Sequence, residues 1–106
     1  MNSSEKYNEL IKYSDPKKVL KNAIHFYGPD VYIDVSTRKD KKYMIFDEVN
    51  KKMVHFGQFA PPMEDFTKHK NKKRQALYLA RATKIKGDWL KNIYSPNYLS
   101  IMLLWS

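Results

Sequence analysis

Val31–Phe56 reads VYIDVSTRKDKKYMIFDEVNKKMVHF, and the alternation of its apolar residues decides the fold class. In Val31–Thr37, Val31, Ile33 and Val35 share one face and Tyr32 and Asp34 the other, the period of a half-buried strand. Arg38–Lys41 is polar and turn-like. Lys42–Asp47 (KYMIFD) and Lys52–Phe56 (KMVHF) are two further strands, and the polar Glu48–Lys51 between them has the length of a hairpin loop. The segment predicts a three-stranded antiparallel meander. Such a sheet is stable once its apolar face is covered, so the flanking sequence must supply helices.

Upstream, Met1–Glu5 reads as a loose tail and Glu5–Tyr13 as a short helix with Tyr7, Leu10 and Ile11 on one side. Asp15-Pro16 restarts the chain: aspartate caps a helix N-terminus, and proline fits the first helical position, where no N–H is needed. The helix that follows lines up Val19, Leu20, Ala23, Ile24 and Tyr27, and Gly28-Pro29 ends it. Downstream, Phe56–Phe66 is too proline-rich for a regular element, and Pro61-Pro62 favours extended polyproline-like backbone. Asn71 is the expected cap of a helix over Lys72–Thr83. Leu77, Ala80 and Tyr78 are its inward set, with Lys73, Arg74 and Arg81 on a different arc. Gly87 bends the pattern, and Trp89, Leu90 and Ile93 make a short apolar patch. Ser95-Pro96 repeats the cap-and-proline start for a last helix carrying Tyr98, Leu99, Met102 and Leu103. The chain is thus expected to be one α+β domain over residues 1–106, a small antiparallel three-stranded meander packed with short helices. Its parts are N-terminal helices (1–28), the β-meander (31–57) and a basic and apolar helical part (65–105).

Twenty lysine and arginine residues against 11 acidic ones give the 106-residue chain a net charge of +9. In so small a domain that balance implies an anionic partner: nucleic acid, an acidic protein or membrane headgroups. A lysine-favouring codon composition or a need for solubility is the plainer reading. There is no cysteine, which removes disulfides, thiolate metal sites and cysteine nucleophiles. Met1–Lys12 has no apolar leader core, so secretion is not expected. The longest apolar run, Ile101–Trp105, is far below the roughly 20 residues that span a bilayer.

The charge concentrates at Lys68, Lys70, Lys72, Lys73, Arg74, Arg81, Lys84 and Lys86, interleaved with Tyr78 and Trp89. Cations on one face beside aromatics suit phosphate contact and base stacking. The same residues also suit a solvated helix face over a core that holds Trp89 and Trp105. No base-reading pattern is present. His25, His55 and His69 lack metal-pair spacing, so neither a metal nor a cofactor is expected. Asp65, Thr67 and His69 are close enough in sequence to form a polar knot tying a loop to a helix, the reading preferred over a catalytic cluster. No carboxylate pattern, phosphate loop or nucleophile elbow marks an enzyme. The apolar end, Leu99–Trp105, either closes the core or, if exposed, forms a docking patch.

The ordered string Phe56-Gly57, Asp65-Phe66-Thr67-Lys68-His69, Lys73-Arg74, Tyr78-Leu79-Ala80-Arg81, Ser95-Pro96, Leu99-Ser100 and Leu103-Leu104-Trp105 resembles a small domain of unknown function. That domain is encoded by large double-stranded DNA viruses and by bacteriophages. The resemblance spans about Lys41–Trp105 and departs from the family at Ala82, where several members carry a histidine. It implies a virus-encoded structural protein, virion-associated, in the virion or host cytoplasm. Its expected partners are other virion proteins, an acidic protein surface, or packaged DNA or RNA. A non-sequence-specific nucleic-acid-binding protein and a small regulator that blocks a host factor are the alternatives. Phe56, Gly57, Asp65, His69, Tyr78, Trp89, Ser95 and Trp105 are the motif residues expected to specify the fold.

Overall fold

Strands β1 (Ile33–Val35), β2 (Lys41–Asp47) and β3 (Lys52–Gln58) form an antiparallel sheet in the order β1-β2-β3. The computed structural model describes residues 2–84 and 91–106. With its helices the chain is α+β. The register pairs Tyr43 with Phe56, Ile45 with Val54 and Asp47 with Lys52. Asp47 fixes the hairpin turn, because its Oδ1 accepts the N–H groups of Val49 (2.9 Å) and Asn50 (3.0 Å). The turn closes with Lys51 in the left-handed region at φ 55°. β1 is shorter than the alternation predicts, although its faces are as expected: Ile33 and Val35 are half-buried, and Tyr32 and Asp34 are exposed.

Helix α1 (Ser3–Leu10) starts earlier than expected, because Asn2 caps it by accepting Glu5 N–H at 2.9 Å. Its inward residues are Leu10 and, unexpectedly, Lys6, whereas Tyr7 and Ile11 are exposed. Helix α2 (Pro16–Tyr27) has the predicted limits: Asp15 accepts the N–H groups of Lys17 and Lys18, and Gly28 ends the helix at φ 98°. Its buried face is turned from the expected one. Val19, Asn22 and Ala23 are buried and Leu20 and Ile24 exposed, since the Asn22 amide donates to the Leu103 carbonyl at 3.0 Å.

Between sheet and basic helix the backbone makes a tight turn at a cis Ala60–Pro61 bond, bridging Phe59 to Pro62, in place of a polyproline stretch. A short helix absent from the sequence expectation, α3 (Phe66–His69), follows under an Asp65 cap. Helix α4 (Lys72–Ala82) starts at the predicted Asn71 cap. Its inward residues are Tyr78, Leu79 and Ala82; Leu77 and Ala80, expected inside, are exposed. Helix α5 (Pro96–Leu99), capped by Ser95, runs into a π-helical turn over Ser100–Leu104. There Leu99, Leu103, Leu104 and Trp105 join Leu10, Val19, Ala23, Tyr43, Ile45, Phe56 and Tyr94 in one core. The apolar end therefore closes the core. Each fully buried leucine contributes about 1.5–3 kcal/mol, so this end stabilises much of so small a fold.

Candidate anion-binding cleft

A buried polar chain sets the position of the hairpin against the helices. Thr67 donates its hydroxyl proton to Asp65, and its oxygen accepts the Asp15 N–H at 3.0 Å. With its one proton committed, Thr67 must accept from Ser14 Oγ (3.3 Å), which in turn must accept from the Tyr43 hydroxyl (2.6 Å). The chain ends on the Asp65 carboxylate, which faces the Lys42 ammonium at 3.0 Å. Both side chains are almost wholly buried, at 1% and 3% exposure. Burial lowers the affinity of Lys42 for its proton, with Asp65 opposing that effect. Burial pushes the Tyr43 phenol far above its ordinary value. The knot expected around Asp65 and Thr67 thus exists, but its other members are Ser14, Tyr43 and Lys42, not His69.

His69 serves elsewhere. Its Nδ1 accepts the Asn71 N–H at 2.9 Å, so Nε2 carries the proton, and Nε2 is buried with no hydrogen-bond partner among the described residues. The ring packs 5.3 Å from that of Trp105. Burial, and then the nearby Arg74, hold its pKa below the usual histidine value.

Over this base lies an open cleft of about 800 Å³ between the β2–β3 hairpin and α4–α5. Lys41, Lys42, Gly57 and Gln58 form one wall, and Arg74, Leu77, Tyr78 and Arg81 the other. The spacing i, i+3, i+4, i+7 puts those four on one face of α4. Leu104 and Trp105 line the cleft as well. Trp105 is stacked on Tyr78 (4.1 Å between centroids, 7° between planes), and its carbonyl accepts the Gln75 amide at 2.8 Å, which fastens α4 to the core. Burial raises the Tyr78 pKa, with the Ser100 hydroxyl opposing.

Gly57 makes the hairpin wall possible. At φ 82° it occupies backbone that side chains disfavour, and a Cβ there would stand 2.9 Å from Leu104 Cδ1 and 3.1 Å from Lys42 Cβ. The loop into Lys41 is held by Lys6, whose ammonium donates to the carbonyls of Ser36 (2.7 Å), Arg38 (2.5 Å) and Lys41 (2.7 Å). All three ammonium protons are then used.

Of the predicted binding residues that the structure describes, Arg74 and Arg81 line the cleft. Lys68, Lys70, Lys72, Lys73 and Lys84 are exposed and do not line it. Lys72 lies over the Phe66 ring at 5.1 Å, and Lys70 is the left-handed cap that ends α3. Lys86 and Trp89, with the bend expected at Gly87, fall outside the described residues. Phe56 is a core residue and Ser95 a helix cap. The cationic cleft residues that the sequence did not mark are Lys41 and Lys42. Nothing local sets them apart from other lysines, because Asp65 is 23 positions from Lys42.

Arg74 is partly offset by Glu64 at 3.9 Å, an exposed pair worth at most about 1 kcal/mol. Arg81 makes no ion pair among the described residues. Among the described residues no group of three metal-ligating side chains comes together, and no helix is long and apolar enough to cross a membrane.

Residues 31–82, from the start of the meander to the end of α4, match a family of unknown function (DUF5754). The match includes Phe56, Gly57, Asp65, His69 and Tyr78 and stops before Ser95 and Trp105. Neither a curated protein nor a solved structure matches the chain.

Proposed function

We propose that the chain is a small binding protein, not a catalyst, which docks on an anionic partner through the cleft between the hairpin and α4. The observation that carries this reading is the placing of Arg74 and Arg81 on one helix face across from Lys41. The groups that chemistry would draw on have other work here. Asp65 and Lys42 neutralise each other, and His69 Nδ1 holds the turn into α4. The resemblance in sequence extends the proposal to a virus-encoded structural protein of the particle, contacting an acidic protein surface or packaged nucleic acid.

A second reading is favoured by the exposure of Lys68, Lys70, Lys72, Lys73 and Lys84 around α3 and α4. Such lysines suit non-sequence-specific contact with phosphates, whose signature is a steep loss of affinity with salt. Fluorescence anisotropy with labelled acidic polypeptide and with labelled poly-dT, titrated from about 50 to about 200 mM salt, tests both readings. Arg74→Glu/Arg81→Glu should weaken cleft-mediated binding by roughly tenfold or more. Undiminished binding by that variant, or no binding to any polyanion at low salt, overturns the cleft reading. Mass spectrometry of purified particles should find the protein at stoichiometric level, and its absence there removes the particle assignment.

A further inference from the structure

We infer that the cleft takes an acidic protein segment bearing apolar side chains, an inference that rests on the anionic-partner reading above. Three features of the cleft select this occupant over nucleic acid. Its lining carries exposed apolar side chains between the charges: Met63 and Leu77 stand among Lys41, Arg74 and Arg81. Leu77 is 58% exposed in the middle of the α4 face, where a solvated helix would carry a polar residue. A nucleotide backbone gives such a surface nothing to cover it, whereas leucine or phenylalanine side chains of a peptide do.

The cleft's aromatic rings are also poorly placed to stack on bases. Tyr78 and Trp105 are stacked on each other, and Trp105 is packed on His69 as well and is only 8% exposed. Single-strand binding draws on open aromatic platforms, and these two rings already have partners. Finally, the cationic charge is modest. Among the described residues Lys42 is neutralised by Asp65 and Arg74 is shared with Glu64, which leaves Arg81 and Lys41 as the principal cations there. Phosphate binding improves with every charge neutralised, so the exposed lysines outside the cleft would serve it better than the cleft does.

Charge complementarity and reach then define the segment. Arg74 and Arg81 are about 10 Å apart along the helix axis, from a rise of 1.5 Å per residue. Side chains that share a face of an extended strand are two or four residues apart, so the two carboxylates are placed four residues apart, about 13 Å at roughly 3.3 Å per residue, with the long arginine side chains closing the difference. The occupant is thus an extended stretch with acidic residues four apart on one face and, between them on that face, an apolar residue that covers Leu77.

The test uses the full chain and three fluorescein-labelled probes: a short peptide repeating Asp-Ser-Leu-Ser, which puts aspartate and leucine on one face of a strand, a peptide of the same charge with serine in place of leucine, and oligo-dT. The Asp/Leu peptide should bind at least roughly tenfold more tightly than the Asp/Ser peptide, since each buried leucine side chain adds a large apolar contribution. Arg74→Glu/Arg81→Glu and Leu77→Ser should each weaken it by roughly tenfold. All three positions are exposed, so thermal melting should stay close to wild type and separate loss of binding from loss of fold. Equal binding of the two peptides, or indifference to Leu77→Ser, overturns the apolar occupant. Tighter binding of oligo-dT through Arg74 and Arg81 overturns the peptide while leaving the anionic-partner reading standing. Failure of all three probes removes both. Self-association in sedimentation that Arg74→Glu/Arg81→Glu abolishes would assign the cleft to a second copy of the chain and also overturn the inference.

Discussion

Replacing Lys42 with methionine removes one charge from a pair that is almost wholly out of water. The two side chains are 3% and 1% exposed and 3.0 Å apart. Breaking such a pair leaves an uncompensated buried charge, a loss of about 3–5 kcal/mol. Methionine keeps most of the lysine stem, and Asp65 still accepts the Thr67 N–H and hydroxyl. Lys42→Met is therefore expected at the lower end, about 3 kcal/mol. Asp65→Asn leaves the ammonium without its counter-charge and weakens the α3 cap, so it should cost about 3–5 kcal/mol. The double variant buries no charge at this point. It should be more stable than the sum of the single losses predicts, with a coupling of about 2 kcal/mol. Urea unfolding followed by tryptophan fluorescence and circular dichroism measures all four corners of the cycle. At a slope of about 1–1.5 kcal/mol per molar, Lys42→Met moves the midpoint by about 2–3 M. Single variants within about 1 kcal/mol of wild type, or strictly additive losses, would refute the buried-pair reasoning.

Gly57→Ala should lose about 2 kcal/mol or more, from left-handed backbone and the approach of Leu104 Cδ1 at 2.9 Å, and a chemical-denaturation midpoint equal to wild type would contradict this. Deleting Ser100–Ser106 removes Leu103, Leu104 and Trp105 from the core, and at about 2–5 kcal/mol for each large side chain the chain should not fold; a dispersed NMR spectrum from the truncated protein would count against that. His69 and His55 both have pKa values held below the usual one of about 6.5, in each case by burial first. The unfolded chain then takes up protons before the folded one as pH falls, so stability should decrease from about pH 6.5 downward until the folded values are passed. Urea midpoints across that range should show this slope and a shallower one in His69→Asn, while a slope of opposite sign rules out the assignment.

The parts of the fold that could be read from the sequence are those with local signals. The hairpin follows from the alternation around Tyr43, Ile45 and Phe56 and from the polar Glu48–Lys51 turn. Asp15, Asn71 and Ser95 cap helices where their chemistry placed them, because a cap needs only the next few residues. Helix faces were read less well. Leu20, Ile24 and Leu77 are apolar yet exposed, because Asn22 turns α2 toward Leu103 and Tyr78 turns α4 toward Trp105. The two buried lysines were unreadable for the same reason. Lys6 is inside because three carbonyls 30 to 35 positions away receive it, and Lys42 because Asp65 does. The basic segment looked uniform in sequence, and only the packing of α4 separates Arg74 and Arg81 from the lysines around them.

The most direct test of the cleft is an NMR titration of isotopically labelled protein with the unlabelled aspartate–leucine peptide, read at each backbone amide. Shift changes should concentrate at Lys41, Gly57, Arg74, Leu77, Tyr78 and Arg81 and saturate together. Changes confined to Lys68, Lys70, Lys72, Lys73 and Lys84, or no saturable change at any residue, would contradict the assignment of this cleft as the binding site.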